Sequence, residues 1–214
     1  MVRHGGNEAE TFKDQIAKAT LRLVTSRGND RVTTSDVARA MGITRAAMAR
    51  HCPTGDDLWL AVAALIERRM KLAWSAAVAG KHSPSDRLRS LLAVQVGLIT
   101  DMPLLRTMLL SGGLHADNRG LRQGLCEIRQ GFKTRLVEAL MDGQRAGQFC
   151  EELDAGITAD RIMEAIQGMI VSRSLNQQTN DFAEEVQVRL DAFLHGTAGR
   201  PQAGPLDDDQ HGLS

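Results

Sequence analysis

The sequence contains few aromatic residues, and this shortage limits what it can bind by stacking. Aromatic side chains make up 3% of its 214 residues, and tyrosine is absent. Proteins that hold single-stranded nucleic acid stack bases on aromatic side chains, so the composition disfavours that class. Long apolar runs are also lacking, because no segment approaches the ~20 apolar residues of a membrane-spanning helix. The N-terminal segment MVRHGGNEAE lacks the apolar core of a secretory signal.

Cysteine is scarce as well. The three cysteines, Cys52, Cys126 and Cys150, are odd in number and widely spaced, and no CxxC pair occurs. This spacing excludes a zinc ribbon and a thioredoxin-type site, and we expect reduced thiols in a cytoplasmic protein. The sequence also shows no nucleophile–base arrangement and no metal-ligand spacing. We therefore expect neither an enzyme nor a protein that holds a metal or another cofactor.

The formal net charge is zero, but the charges are unevenly distributed. Residues 1–55 carry nine basic and five acidic side chains, a net charge of +4, and the rest of the chain carries −4. A positive end on a negative body suggests a polyanionic partner at that end. Solvated helix faces would account for the same charges, so the interpretation depends on a motif.

Hydrophobic spacing predicts an all-α protein of about nine helices, without a convincing strand. We expect a three-helix helix-turn-helix domain at residues 1–56 and a helical effector-binding and dimerisation domain at 57–196, followed by a disordered tail at 197–214. Residues 88–99 are apolar on most faces, which predicts a central, buried helix. Ser83 and Pro84 are suited to begin that helix.

The most informative segment lies between residues 33 and 57. Ser35 is placed to cap a short helix that Gly42 ends. Thr44 is placed to cap the next helix, which runs from Arg45 to about His51. Two short helices joined by a tight glycine turn form a helix-turn-helix. The second helix would then be free to enter a DNA major groove, which is about 12 Å wide.

Two further features support this interpretation. Met48 on the second short helix is spaced to meet Val37 and Met41 of the first over a small core. Thr54 and Asp57 then resemble a capping box, which predicts the start of a long helix.

The segment TTSDVARAMGITRAAMARHCPTGDDLWLAV resembles the DNA-binding domain of the TetR family of one-component transcriptional regulators, and the resemblance extends over about residues 10–65. It implies a homodimer in which each subunit presents one recognition helix to operator DNA. It also implies a four-helix interface formed by the last two long helices of each subunit, and a cavity in the body that binds a small molecule. The matching positions are Thr33, Thr34, Val37, Ala38, Gly42, Ile43, Thr44, Met48, His51, Pro53, Thr54 and Leu58.

Chemistry suggests roles for the residues of this segment. Arg45 can contact guanine through two hydrogen bonds, and Ala46 can touch a thymine methyl group. Hydroxyl and cationic side chains can contact phosphates, although solvation or a structural hydrogen bond would equally account for Arg50 and His51. The predicted DNA-binding residues are Thr33, Thr34, Thr44, Arg45, Ala46, Arg50 and His51.

The sequence departs from the family pattern at four positions. Asn29, Ala49 and Cys52 stand where aromatic residues are usual in the family, and Gly55 stands where lysine is frequent. Loss of a buried phenylalanine typically costs ~3–5 kcal/mol unless the surroundings repack. We expect a repacked or less stable head and weaker contacts with phosphates.

The body of the chain is less informative. Methionines and polar residues among apolar ones suggest an effector pocket, although plain core packing would also account for them. Small and large residues on the last helices suggest a dimer interface, although a helix pair within one chain would look the same. A regulator that responds to oxidation or metals through Cys52, Cys126 and Cys150 is the alternative function. The candidates are Met70, Trp74, Gln95, Met102, Leu105, Met108 and Phe132 for the effector, and Ile166, Met169, Ile170, Val186, Leu190 and Phe193 for the dimer.

Overall fold

The structure is a computed structural model that describes residues 11–27, 32–101 and 119–176, together with residue 188. Within these ranges the structure contains seven α-helices of 7 to 27 residues and no strand, which confirms the all-α prediction. The predicted segment from Pro103 to Leu110, the predicted last helix and the tail lie outside the described residues, so the count of about nine helices is not confirmed. The helices are α1 Phe12–Arg27, α2 Thr34–Met41, α3 Arg45–His51, α4 Gly55–Val78, α5 Pro84–Asp101, α6 Arg119–Arg145 and α7 Ala155–Asn176.

The start of α2 differs from the prediction. Thr33, not Ser35, is the N-cap. The Asp36 backbone N–H donates to the Thr33 hydroxyl at 3.2 Å, and the Thr33 N–H donates to the Asp36 carboxylate at 3.1 Å. This reciprocal pair needs an acidic or amide side chain three residues after the cap. Ser35 would have Ala38 there, which carries no acceptor.

Other boundaries follow the sequence closely. Gly42 ends α2 with a φ of +67°, a left-handed conformation that favours glycine. Thr44 accepts from the Ala47 N–H at 3.1 Å and caps α3. The predicted capping box of Thr54 and Asp57 is present, with hydrogen bonds of 3.0 and 3.1 Å. These caps place α3 between two sharp turns.

The central helix is α4, which packs against α1, α5 and α6, while α7 packs on α6. The prediction that residues 88–99 form a central, buried helix is confirmed for the burial, because Leu88, Leu92 and Val96 are at most 2% exposed, but not for the central position, since α5 packs mainly on α4 and α6. The buried side chains form one continuous core that runs from Ile16 on α1 to Ile170 on α7. An ion pair between Asp14 and Arg68 also joins α1 to the middle of α4.

Two glycines allow α6 to approach α4 closely. A Cβ atom added to Gly124 would lie 2.2 Å from the Cβ of Ala63, and one added to Gly120 would lie 2.2 Å from the Asp56 carbonyl oxygen. The Gly120 N–H also donates to the Asp56 carboxylate at 3.3 Å. The start of α6 is therefore in backbone contact with the first half of α4.

None of the helices in the described part of the chain combines the length and the apolar character that crossing a membrane would require.

Candidate nucleic-acid interface and ligand cavity

Helix α3 is held by one side and exposed on the other. Met48 is 2% exposed and anchors the helix in the core, and α3 packs on α2. Thr44, Arg45, Ala46 and Arg50 are all exposed. The structure therefore places four of the predicted DNA-binding residues close together. Arg45, Ala46 and Arg50 lie on α3, and Thr44 caps its start.

The threonine hydroxyls are engaged to different degrees. Thr33 donates its hydroxyl proton to the Asp36 carboxylate, so this proton is already used within the chain. The Thr44 oxygen accepts from Ala47, which leaves its own proton able to donate to an outside acceptor. Thr34 is partly buried in the first turn of α2. Thr44 is therefore better placed than Thr33 to donate to a phosphate.

His51 is exposed but is not isolated. Its ring lies 4.7 Å from that of Phe12, measured between centroids, so the end of α3 rests on the start of α1. The adjacent Cys52 is 1% exposed and fills the position where the family usually has phenylalanine. Ala49 and Gly55 are exposed, and Asn29 lies outside the described residues. The head is thus packed around a smaller side chain at position 52.

The cysteines are not arranged as a redox or metal site. Burial raises the pKa of the Cys52 thiol, which disfavours the reactive thiolate. A hydrogen bond to the Glu152 carboxylate raises the pKa of Cys150. Cys126 is exposed, and all three thiols are free. The described residues contain no group of three or more His, Cys, Asp or Glu side chains that could hold a metal ion. Nothing here supports the redox or metal alternative.

Helices α4 to α7 line a half-open cavity of about 330 Å³, within the range of small-ligand sites. Its wall is mostly apolar. The polar lining groups that the structure describes are two guanidinium groups, two amides and one thiol, without a carboxylate. The lining residues are Met70, Gln95, Ile99, Arg122, Leu125, Cys126, Ile128, Arg129, Phe132, Met163, Ile166, Gln167 and Ile170.

Three of the predicted effector residues, Met70, Gln95 and Phe132, line this cavity. Trp74 does not line it but lies behind the wall. The Trp74 indole N–H donates to the Gln95 side-chain oxygen at 2.9 Å, and the Trp74 and Phe132 rings lie 5.3 Å apart. Met102, Leu105 and Met108 lie outside the described residues.

The sequence interpretation missed three neighbouring polar residues of the lining. Arg122, Cys126 and Arg129 are spaced by four and three residues on α6, so they share one face of that helix. The sequence does contain a signal for them, because the same helical spacing leads from Arg129 to Phe132, which is one of the predicted effector-binding residues. The two arginines do not stand out in the sequence, because charged helix residues usually face water.

The α7 residues predicted for the dimer interface require a correction. Ile166, Met169 and Ile170 are 4%, 8% and 4% exposed in the single chain, and two of them line the cavity. They face inward because α7 packs its apolar side on α6. The other side of α7 exposes the small or apolar residues Ala165, Gly168 and Val171 beside the charged residues Arg161 and Glu164. Val186, Leu190 and Phe193 lie outside the described residues.

Comparison with known proteins gives a consistent picture, although no family model matches the chain. The HTH-type transcriptional regulator TtgR of Pseudomonas putida is 29% identical over 204 residues, which cover 91% of this chain and 95% of TtgR. The nucleoid occlusion factor SlmA of Marinobacter nauticus is 24% identical over 182 residues, which cover 83% and 93% of the two chains. A TetR-family transcriptional regulator from a Rhodococcus species superimposes with a TM-score of 0.69 at 21% identity, over 85% of this chain and 97% of that one.

The fold, a helical head continuous with a helical body that holds an apolar cavity, is that of the TetR-type transcriptional regulators. TtgR, which is similar over nearly the whole chain, is also an HTH-type transcriptional regulator.

Proposed function

We propose that the protein is a ligand-responsive DNA-binding regulator of transcription. In this proposal it acts in the cytoplasm as a homodimer and represses transcription until a small molecule occupies the cavity between α4 and α7. The observation that carries the proposal is the exposure of α3, a helix in which Met48 is the buried side chain, with Arg45 and Arg50 in solvent. The cavity favours a ligand-responsive regulator over the nucleoid occlusion function for which other relatives are named.

The proposed DNA contacts follow from the placement of the side chains. With α3 in the major groove, Arg45 would contact a guanine edge and Ala46 a thymine methyl group at the start of the helix. Thr44 would donate its hydroxyl proton to a phosphate, and Arg50 would pair with a phosphate farther along. We assign Thr33 to capping α2 instead, because its proton is donated to Asp36.

The proposed response to ligand travels through α4. This helix of 24 residues is about 36 Å long at 1.5 Å per residue. Its first turn follows α3 directly, and Met70 farther along lines the cavity. A ligand that moves the cavity end of α4 would change the separation of the two heads, which must be about 34–36 Å to fit successive major grooves. Coupling of this kind is typically worth ~1–3 kcal/mol.

Measuring DNA binding tests the proposal. Fluorescence anisotropy would be recorded with duplexes tiled across the DNA upstream of the gene, over a range of salt concentrations. We expect Arg45→Ala to cost ~1–3 kcal/mol and to relax sequence preference, and Arg50→Ala to lower the salt slope by about 1. Arg145→Ala, which removes an exposed charge at the end of α6, is the control. A salt slope near zero on every duplex, or equal losses in all three variants, would contradict the proposal.

The proposed dimer has its own test. The exposed Ala165 lies on the outer face of α7, next to Gly168, whereas Ala76 is an exposed alanine on α4. Light scattering should give twice the chain mass of 23.3 kDa for the protein. We expect Ala165→Arg to reduce this mass to that of the monomer and Ala76→Arg to leave it unchanged. A dimer that survives Ala165→Arg would exclude this face.

A further inference from the structure

We infer that the ligand of the α4–α7 cavity is an uncharged, mainly apolar molecule whose carbonyl oxygen accepts a hydrogen bond from the side-chain NH₂ group of Gln95. The apolar part would fill the cavity, and the carbonyl group would lie at the buried glutamine. This inference rests on the proposed function and deepens it by assigning the chemical class of the effector.

Gln95 differs from the other polar residues of the cavity wall in its burial. Among the residues that the structure describes, the wall has five polar side chains, of which Gln95 is 9% exposed and the other four are exposed. Those four are Arg122, Cys126, Arg129 and Gln167. Water can solvate them at the open side of the cavity, so they place no requirement on a ligand. The hydrogen bonds of a buried amide must instead come from the chain or from an occupant of the cavity.

The contact with Trp74 fixes the orientation of the Gln95 amide. The indole N–H of Trp74 can only donate, and it donates to the Gln95 side-chain oxygen at 2.9 Å. The NH₂ group therefore lies on the other side of the amide. Trp74 is fully buried and does not line the cavity, whereas Gln95 does. The oxygen is thus directed away from the cavity, and the NH₂ group is the part of Gln95 that can serve a ligand.

This NH₂ group has no partner of its own. Within the described part of the chain, the hydrogen bond from Trp74 is the one that Gln95 makes, and its NH₂ group donates none. A buried donor that stays unused costs more than a typical hydrogen bond gains. A ligand with an acceptor at this point removes that cost. A ligand without one retains the cost and also keeps water from the amide.

The apolar wall decides against a charged group beside Gln95. Its buried side chains favour hydrocarbon over water. A carboxylate at the glutamine would lose much of its hydration and would receive hydrogen bonds there only from a neutral amide, which compensates poorly for a buried charge. A neutral carbonyl oxygen gives up far less hydration. All four helices contribute buried apolar side chains, such as Met70 of α4, Ile99 of α5, Phe132 of α6 and Ile166 of α7.

The test uses two volatile molecules of nearly the same shape, 2-nonanone and 2-methyl-1-nonene, in which a CH₂ group replaces the carbonyl oxygen. Each is equilibrated with the full-length protein, and gas chromatography of the headspace gives the affinity without a label. Nonanoate, which carries a carboxylate on a chain of the same length, is measured by its displacement of 2-nonanone. Gln95→Met retains the side-chain length without a donor. Gln130→Met is the matched control, since Gln130 is exposed on α6 and does not line the cavity.

We expect Gln95→Met to weaken the binding of 2-nonanone by about two- to tenfold, the effect of one net hydrogen bond. The same substitution should leave 2-methyl-1-nonene bound equally or more tightly. Gln130→Met should change neither affinity. Nonanoate should displace 2-nonanone only at concentrations above those at which 2-nonanone itself binds.

A second measurement does not depend on a variant. The NMR chemical shift of a carbon-13-labelled ketone carbonyl is separate from those of protein carbonyls, and it moves downfield when the oxygen accepts a hydrogen bond. We expect bound 2-nonanone to be shifted downfield of its position in hexane, and this shift should decrease in Gln95→Met. A bound signal at the hexane position would overturn the inference even if the variant does not fold.

The binding results can contradict the inference in four ways. An unchanged affinity for 2-nonanone in Gln95→Met, or an equal loss for both volatile probes, overturns the assignment of the carbonyl to Gln95. Loss of the ketone in Gln167→Met instead would place the carbonyl at the open side of the cavity. Tighter binding of nonanoate than of 2-nonanone overturns the uncharged class, and failure of both volatile probes to bind overturns the whole inference.

The DNA assay separates these failures from failure of the proposed function. If 2-methyl-1-nonene releases the DNA as well as 2-nonanone does, the regulator stands and the requirement for a carbonyl falls. If the protein binds no duplex, the proposed function fails whatever the probes show.

Discussion

A single methyl group added to α6 at Gly124 tests whether α6 and α4 pack too closely there to leave space for a side chain. In Gly124→Ala the new Cβ would lie 2.2 Å from the Cβ of Ala63, where ordinary contacts between carbon atoms are about 3.5–4.0 Å. A Cβ atom cannot rotate away as the end of a long side chain can. The two helices must therefore separate by more than an ångström at this point.

Two opposing terms decide the sign of the effect. Replacing glycine with alanine inside a helix gains ~1 kcal/mol from backbone propensity. Overpacking a core typically costs ~1–3 kcal/mol, and the rigid neighbour places this case in the upper part of that range. We expect Gly124→Ala to lower the free energy of unfolding by about 1–2 kcal/mol, the difference between these terms. In Gly131→Ala, in the same helix, the new Cβ would lie 4.0 Å from the Trp74 ring, an ordinary contact distance, so this substitution should stabilise by ~0.5–1 kcal/mol.

Urea unfolding followed by circular dichroism, at one protein concentration, measures both variants. A third variant exchanges the methyl group between the helices: Ala63→Gly combined with Gly124→Ala removes the overlap while the propensity terms cancel. It should recover most of the stability lost in Gly124→Ala. If Gly124→Ala is as stable as Gly131→Ala, or if the exchange recovers nothing, the helices do not meet as described.

Three other substitutions or conditions give clear expectations. Met48→Ala should cost ~2–5 kcal/mol and abolish DNA binding, because this side chain is 2% exposed and anchors α3, whereas the half-exposed Met141 should tolerate alanine in the same unfolding assay. Thr54→Ala should cost ~0.5–2 kcal/mol by removing the cap of α4, and Thr134→Ala, at an exposed mid-helix position, should cost less. Because burial raises the pKa of Cys52, its contribution to stability is complete below the unfolded thiol's pKa of about 8.5 and declines as the pH rises further. Unfolding curves against pH should lose that alkaline decline in Cys52→Ala, and an unchanged decline would assign it to other groups.

Local rules were enough to predict the short elements. Gly42 ends α2, and Thr44 and Thr54 cap the next two helices, since a cap depends on residues three positions away. The same rules misplaced the cap of α2 because Ser35 and Thr33 are both good caps, and only the partner at the third position separates them. It was harder to predict which helix lies at the centre of the fold. The central position of α4 depends on which helices pack around it, which periodicity does not contain.

The same limit applies to the candidate site. Met70, Gln95 and Phe132 were found because unusual or adaptable residues in an apolar stripe stand out. Ile166 and Ile170 were assigned to a partner subunit because the sequence shows which residues of α7 are apolar but not what they pack against. Arg122 and Arg129 were not predicted as lining residues, because charged helix residues usually face water. Their charge suggested water, whereas the tertiary arrangement places them at the edge of a cavity.

The uninterrupted core from α1 to α7 has a consequence for protein engineering. Segments are readily excised or exchanged where few contacts cross the boundary, but Ile16 is fully buried and α1 is tied to α4 through Asp14 and Arg68. A fragment cut at residue 56 would leave α1 without the helix it rests on. Hybrid regulators made from this chain should therefore be joined beyond the end of α4, so that the head is transplanted together with its supporting helix.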